Sequence, residues 1–204
     1  MKNTKIVYDS IIYSLQSVGG ISNYWTELIK RITKIHKTIN YEKKNKNIFR
    51  KEINISQLNE SGIPTKILRF LPFQKKLPAR SIFHSSYYRT TFQKDVVKII
   101  TIYDFIHEYK KNIFLRTLIR WQINLSIKNA DGIIGVSDGY LNWGLKRAKR
   151  KNNTRMLFLI EQNNPIECVQ SCFNEYIADH NGDASFCDPI PQPRPSGCAA
   201  KRID

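Results

Sequence analysis

Between Lys5 and Ser137 the chain alternates short apolar runs with longer stretches whose apolar positions recur three and four residues apart. The run that begins Lys5-Ile-Val-Tyr-Asp reads as a first strand leading to a glycine turn at Gly19-Gly20, and an amphipathic helix follows. Ser22 suits the N-cap of that helix, and Trp25, Leu28, Ile29, Ile32 and Ile35 recur on its inner face. Residues 41–51 are polar and lysine-rich and read as a loop, with a weak edge strand near Ile53-Asn54-Ile55. Residues 81–86 and the β-branched run 96–104 read as short buried strands. A long helix is predicted from Asn112 to Asn129, with Leu115, Leu118, Ile119, Ile123 and Ile127 on or near one face. A further strand, Ala130-Asp-Gly-Ile-Ile-Gly-Val-Ser, ends at Ser137.

Strands alternating with helices predict βαβ units, and therefore a Rossmann-like, doubly wound parallel sheet covered on both faces. Ligands of such sheets sit at the carboxyl ends of the strands. Gly19-Gly20, the segment from His84 to Arg89, Tyr103-Asp104 and Ser137 all fall at such ends. A glycine pair removes the Cβ that would keep a ligand from the backbone, and a helix N-terminus behind it presents N–H groups to a phosphate. The same pair also fits a plain tight turn with no ligand.

Composition divides the chain near position 150. Residues 1–150 hold 28 Lys and Arg against 10 Asp and Glu, a net charge of +18, whereas residues 151–204 hold 5 against 7, a net of −2. All four cysteines (Cys168, Cys172, Cys187, Cys198) and five of the eight prolines lie beyond 150, so the body and the tail differ in kind. A cysteine-free body suits a reducing compartment. The start of the chain lacks a signal-peptide core, and no apolar stretch is long enough to span a bilayer, which predicts a cytoplasmic protein. The expected domain covers residues 1–137, with 138–204 a divergent, irregular or disordered tail. Pro189-Ile-Pro-Gln-Pro-Arg-Pro within it favours polyproline II.

Four segments, in order, carry a family resemblance: Gly19-Gly20-Ile21-Ser22, His84-Ser85-Ser86-Tyr87-Tyr88-Arg89, Thr101-Ile102-Tyr103-Asp104, and residues 130–137. Together they resemble the N-terminal, acceptor-side half of a family 4 (group 1) glycosyltransferase of the GT-B fold, of the bacterial surface-polysaccharide type. The resemblance implies transfer of a sugar from a nucleotide-sugar to a saccharide or lipid-linked acceptor, with no further cofactor. It implies that Gly19 and Gly20 line the donor diphosphate. Asp104 and Tyr103 would be the catalytic positions, and His84, Arg89 and His107 would face the acceptor. The family's histidine before the third-motif aspartate is Tyr103 here, which can share a hydrogen bond but is no base near neutral pH; His107, three residues beyond Asp104, is the candidate substitute. The family also carries a second domain of comparable size with a Glu-x7-Glu pair, which nothing in 138–204 resembles. A truncated, frameshifted or fused reading frame, inactive alone, is the expectation.

Each of these residues also has a structural reading. Asp104 would cap its turn, His84 would be a hydrogen-bonded core residue, and Arg89 would be a solvated cation. Asp131 and Ser137 read as structural. The cysteine spacing departs from paired Cys-x2-Cys knuckles, so no metal is assigned. The basic charge fits a membrane surface through residues 68–77, Leu-Arg-Phe-Leu-Pro-Phe-Gln-Lys-Lys-Leu, which join apolar groups to cations; the same segment also fits a solvated loop. Nucleic acid is disfavoured, since no recognised motif is present and the cations are spread. The alternative function is a non-catalytic basic module that docks on membrane or nucleic acid.

Overall fold

A computed structural model describes residues 5–103, 111–136, 143–144, 146–147, 156–159 and 199–201. Strands β1 (Ile6–Asp9), β2 (Thr38–Tyr41), β3 (Gln57–Leu58), β4 (Ile82–Ser85), β5 (Val97–Ile102) and β6 (Gly132–Gly135) form a parallel sheet in the order β3-β2-β1-β4-β5-β6. Two stretches of the tail extend it. β7 (Met156–Leu159) lies parallel beside β6, and β8 (Ala199–Lys201) lies antiparallel beside β7.

The period of two along each strand sorts side chains onto two faces. Ile6, Tyr8, Ile82, Ile99 and Ile134 meet helix α2 (Gly20–Ile32), whose Trp25, Leu28, Ile29 and Ile32 are fully buried. Each such side chain contributes about 1.5–3 kcal/mol of burial free energy. On the opposite face Ile100, Ile102 and Ile133 meet Ile119, Ile123 and Ile127 of helix α4 (Ile113–Asn129). Val7, Phe83 and Val96 pack there against Phe73 and Leu77. With helices on both faces the sheet is doubly wound, as the alternating pattern predicts.

Local chemistry accounts for the helix ends. Asn112 caps α4 by accepting a hydrogen bond from the Leu115 N–H at 2.9 Å, matching the predicted span. At α2 the N-cap is Gly19 rather than Ser22, because Ser22 Oγ donates back to the Gly19 carbonyl at 2.9 Å from inside the first turn. The helix closes at Ile32, which leaves Ile35 exposed beyond the end of the predicted face.

Three further expectations are corrected. The first strand stops at Asp9, and a single helical turn, α1 (Ile12–Leu15), intervenes before the glycines. Asp9 and Ser10 are held by side chains from β4 and β2, so the chain leaves the sheet there. The edge strand lies at Gln57–Leu58 rather than near Ile53-Asn54-Ile55, whose carbonyls at Ile53 and Ile55 instead accept from the Arg50 guanidinium. β2 lies in Thr38-Ile-Asn-Tyr, where no strand was predicted. Finally, Leu68, Phe73 and Leu77 are buried, so the apolar groups read as membrane-insertion points belong to the core. Only Gln74, Lys75 and Lys76 between them stay exposed.

Candidate site at the carboxyl edge of the sheet

From β1 the chain moves outward to β2 and β3, then returns across the sheet to β4 beside β1. The switch point is therefore the gap between the carboxyl ends of β1 and β4, at Asp9 and Ser85. Side chains fill that gap. Ser85 Oγ donates to Asp9 Oδ2 at 2.8 Å, and Ser86 Oγ donates to the Asp9 carbonyl at 2.7 Å while accepting from Ile12 N–H at 3.1 Å.

Arg89 closes the network from below. Its guanidinium donates to Asp9 Oδ1 at 3.0 Å, to Glu60 Oε1 at 2.8 Å and to the Leu71 carbonyl at 2.9 Å. Its side chain is fully buried, and the Phe73 ring lies 5.6 Å from the guanidinium carbon. Neither sequence reading of Arg89 fits: it is neither a solvated cation nor a group open to an acceptor. Burial raises the Asp9 carboxyl above its usual range, outweighing Arg89 and Ser85, which act to lower it. A small recess beside this network is lined by Asp9, Tyr41, Glu42, Lys43, Glu60 and Arg89 among others. Glu42 in turn takes two hydrogen bonds from Arg50 Nε, each 2.7 Å.

His84 is also enclosed. It is fully buried on the α2 face, 4.7 Å from the Trp25 ring centroid, and Nε2 shares a 2.9 Å hydrogen bond with Thr101 Oγ1. Burial drives its pKa down to about 3, so the imidazole is neutral at physiological pH. The core reading of His84 holds and the acceptor-facing one does not, because Trp25 and Tyr8 stand between it and solvent. Asp131 is structural as read, clamping β6 to β5 through its bond from the Lys98 N–H at 2.8 Å.

The glycine turn and the end of β5 do come together. Tyr24, one turn into α2, meets Tyr103 edge-on with ring centroids 5.7 Å apart. Burial, and then Tyr24, hold the Tyr103 phenol well above its ordinary pKa, so it stays protonated. The loop before the glycines is pinned by Asn47 Nδ2 to the Gln16 carbonyl at 2.8 Å and by Ile48 N–H to the Ser17 carbonyl at 3.1 Å. Gly20 faces open space: a Cβ built there has nothing within 4 Å. A Cβ on Gly19 would meet only the end of the Gln16 side chain, at 2.6 Å. Gly19 itself is extended, with φ 168°, so its conformation does not demand glycine. No acidic residue lies in the first turn of α2, which leaves its positive end uncompensated within that turn.

Asp104, His107 and Ser137 lie outside the described residues, as do the four tail cysteines. The residues that sequence reasoning missed are Asp9, Glu60, Ser85 and Ser86. A carboxylate ending a strand, as in Tyr8-Asp9-Ser10, is the signal that pointed to the first. Among the described residues no group of three or more His, Cys, Asp and Glu could hold a metal ion, and no helix is long and apolar enough to cross a membrane. No family model matches the chain, and no curated protein matches it.

Proposed function

We propose that this chain is the acceptor-side half of a nucleotide-sugar glycosyltransferase acting on a saccharide or lipid-linked acceptor at the cytoplasmic face of a membrane. The observation that supports this most is the meeting of the α2 N-terminus with the end of β5, through Tyr24 and Tyr103, at the carboxyl edge of a parallel sheet. Glycosyl transfer of this class depends on positioning and on stabilising a departing diphosphate. A helix N-terminus with open space at Gly20 suits the diphosphate. The Tyr103 phenol, held neutral, serves as a hydrogen-bonding group rather than a base. Asp104 remains the proposed partner of the acceptor hydroxyl. Arg89 and His84 hold the scaffold and contact no substrate.

Gly20 separates the ligand from the fold. Alanine there meets no atom within 4 Å and occupies the first helical position, so stability should be unchanged or rise by up to about 1 kcal/mol. In the proposed site the same methyl group intrudes on the diphosphate, so the affinity of residues 1–204 for UDP- and GDP-sugars should fall severalfold by calorimetric titration. Equal affinity for wild type and Gly20→Ala would remove the glycines from the site.

The chain alone should transfer no sugar, because the base and ribose contacts of the proposed donor belong to a second domain. A radiolabelled assay with a panel of nucleotide-sugars and lipid-linked acceptors tests this. Transfer above a Gly20→Trp background would refute it. Tight, steeply salt-dependent duplex binding without nucleotide-sugar binding would favour the basic binding module instead.

A further inference from the structure

We infer that the outward face of α4 is a docking surface for an anionic lipid bilayer. The helix buries one face through Ile119, Gln122, Ile123, Ser126 and Ile127. Its other face keeps Ile113, Phe114 and Trp121 68 %, 79 % and 55 % exposed, three of the largest apolar exposures among the described residues. Phe114, Leu118, Trp121 and Leu125 recur at spacings of four, three and four, which places them in one stripe about two-thirds of the helix length. A solvated face would carry polar groups at those positions.

The charge beside the stripe selects the occupant. Residues 111–129 contain Lys111, Arg116, Arg120 and Lys128 and no acidic residue. Apolar tips flanked by cations match an interfacial helix lying on anionic headgroups. The neighbouring segment adds to the same layer: Gln122 Nε2 donates to the Arg69 carbonyl, and Lys75 and Lys76 are exposed just beyond. The cations of 68–77 thus retain the lipid-facing role that its buried apolar residues cannot have. α4 carries the chain from the carboxyl edge back to the start of β6, so Ile113 and Phe114 sit at the edge where Tyr103 lies. A bilayer on this face would bring a lipid-linked acceptor to that edge. This last step rests on the proposed function; the docking itself does not.

Flotation of purified residues 1–204 with vesicles tests it, using phosphatidylcholine alone or with about one third phosphatidylglycerol. The wild type should bind the anionic vesicles and not the neutral ones. Phe114→Ser with Trp121→Ser should lose at least about tenfold in binding, as should Lys111→Glu with Arg120→Glu, while Phe92→Ser, exposed elsewhere, should bind as wild type. Unchanged melting of each variant shows that the fold is kept. A vesicle-induced blue shift of tryptophan emission should be present in wild type and mostly lost in Trp121→Phe. Equal binding by the Phe114/Trp121 variant overturns the inference. So does self-association that this variant abolishes without any vesicle binding, which would assign the face to a second copy. Vesicle binding with no nucleotide-sugar binding would leave the surface standing and sink the proposed function.

Discussion

Replacing Arg89 with methionine should cost about 3–5 kcal/mol of folding stability at neutral pH, the range for removing one partner of a buried ion pair. The cost arises because Asp9 and Glu60 would both remain buried, each having lost a bond of 3.0 Å or shorter from the guanidinium. Methionine fills the volume and keeps the contact with Phe73 but donates no hydrogen bond. Urea denaturation of wild type and variant gives the difference directly, and a loss below about 1 kcal/mol would show the network to be replaceable. The penalty has a pH signature. Asp9 already binds its proton more tightly folded than unfolded, and Arg89 is the main group holding it down. Without Arg89 its pKa rises further, so the folded variant takes up a proton that its unfolded form does not. Stability of the variant relative to wild type should therefore recover as pH falls toward the ordinary carboxylate range. Combining Arg89→Met with Asp9→Asn and Glu60→Gln should restore much of the loss, since no buried charge is then stranded.

Acid should destabilise the wild type through His84, by an amount approaching 4–5 kcal/mol. The folded imidazole has a pKa of about 3 and the unfolded one of 6.5. Below 6.5 the unfolded chain gains a proton that the folded core refuses. The stability is fully present above pH 6.5 and is lost progressively as pH falls toward 3. Asp9 acts in the opposite sense, so the comparison must be made against a variant rather than read from wild type alone. His84→Gln keeps an amide to pair with Thr101 Oγ1 and cannot titrate. Its stability should fall less steeply with pH between 6.5 and 4, whatever its value at pH 7. Parallel curves for the two proteins would mean that His84 gains access to water in the folded state.

These two residues show why the site was only partly legible in the sequence. His84 and Arg89 were singled out correctly as belonging to one segment at a strand end, but what each does depends on distant partners. Arg89 meets carboxylates 80 and 29 positions away, and His84 meets Trp25 from a helix on the far side of β1 in sequence. A charge at a strand end reads the same whether it faces solvent or an enclosed aspartate. Gly20 and Tyr103, by contrast, were placed at one edge from the alternation alone, and Tyr24 bridges them there.

What the sequence determined by itself is what repeats locally. The β-branched runs specify β4, β5 and β6, and the 3.6-residue periodicity with Asn112 as cap specifies α4 almost to the residue. Their alternation specifies a parallel sheet, because only crossovers can join such strands. Tertiary structure decided the rest. Thr38–Tyr41 is polar enough to read as loop and becomes β2 because β1 offers it a ladder from Ile6 to Asp9. Residues 68–77 look like a surface segment and become core because the sheet face opposite α2, at Val7 and Phe83, needs covering. Periodicity is a property of neighbours in the chain, whereas burial and charge pairing belong to neighbours in space, and only the folded topology says which those are.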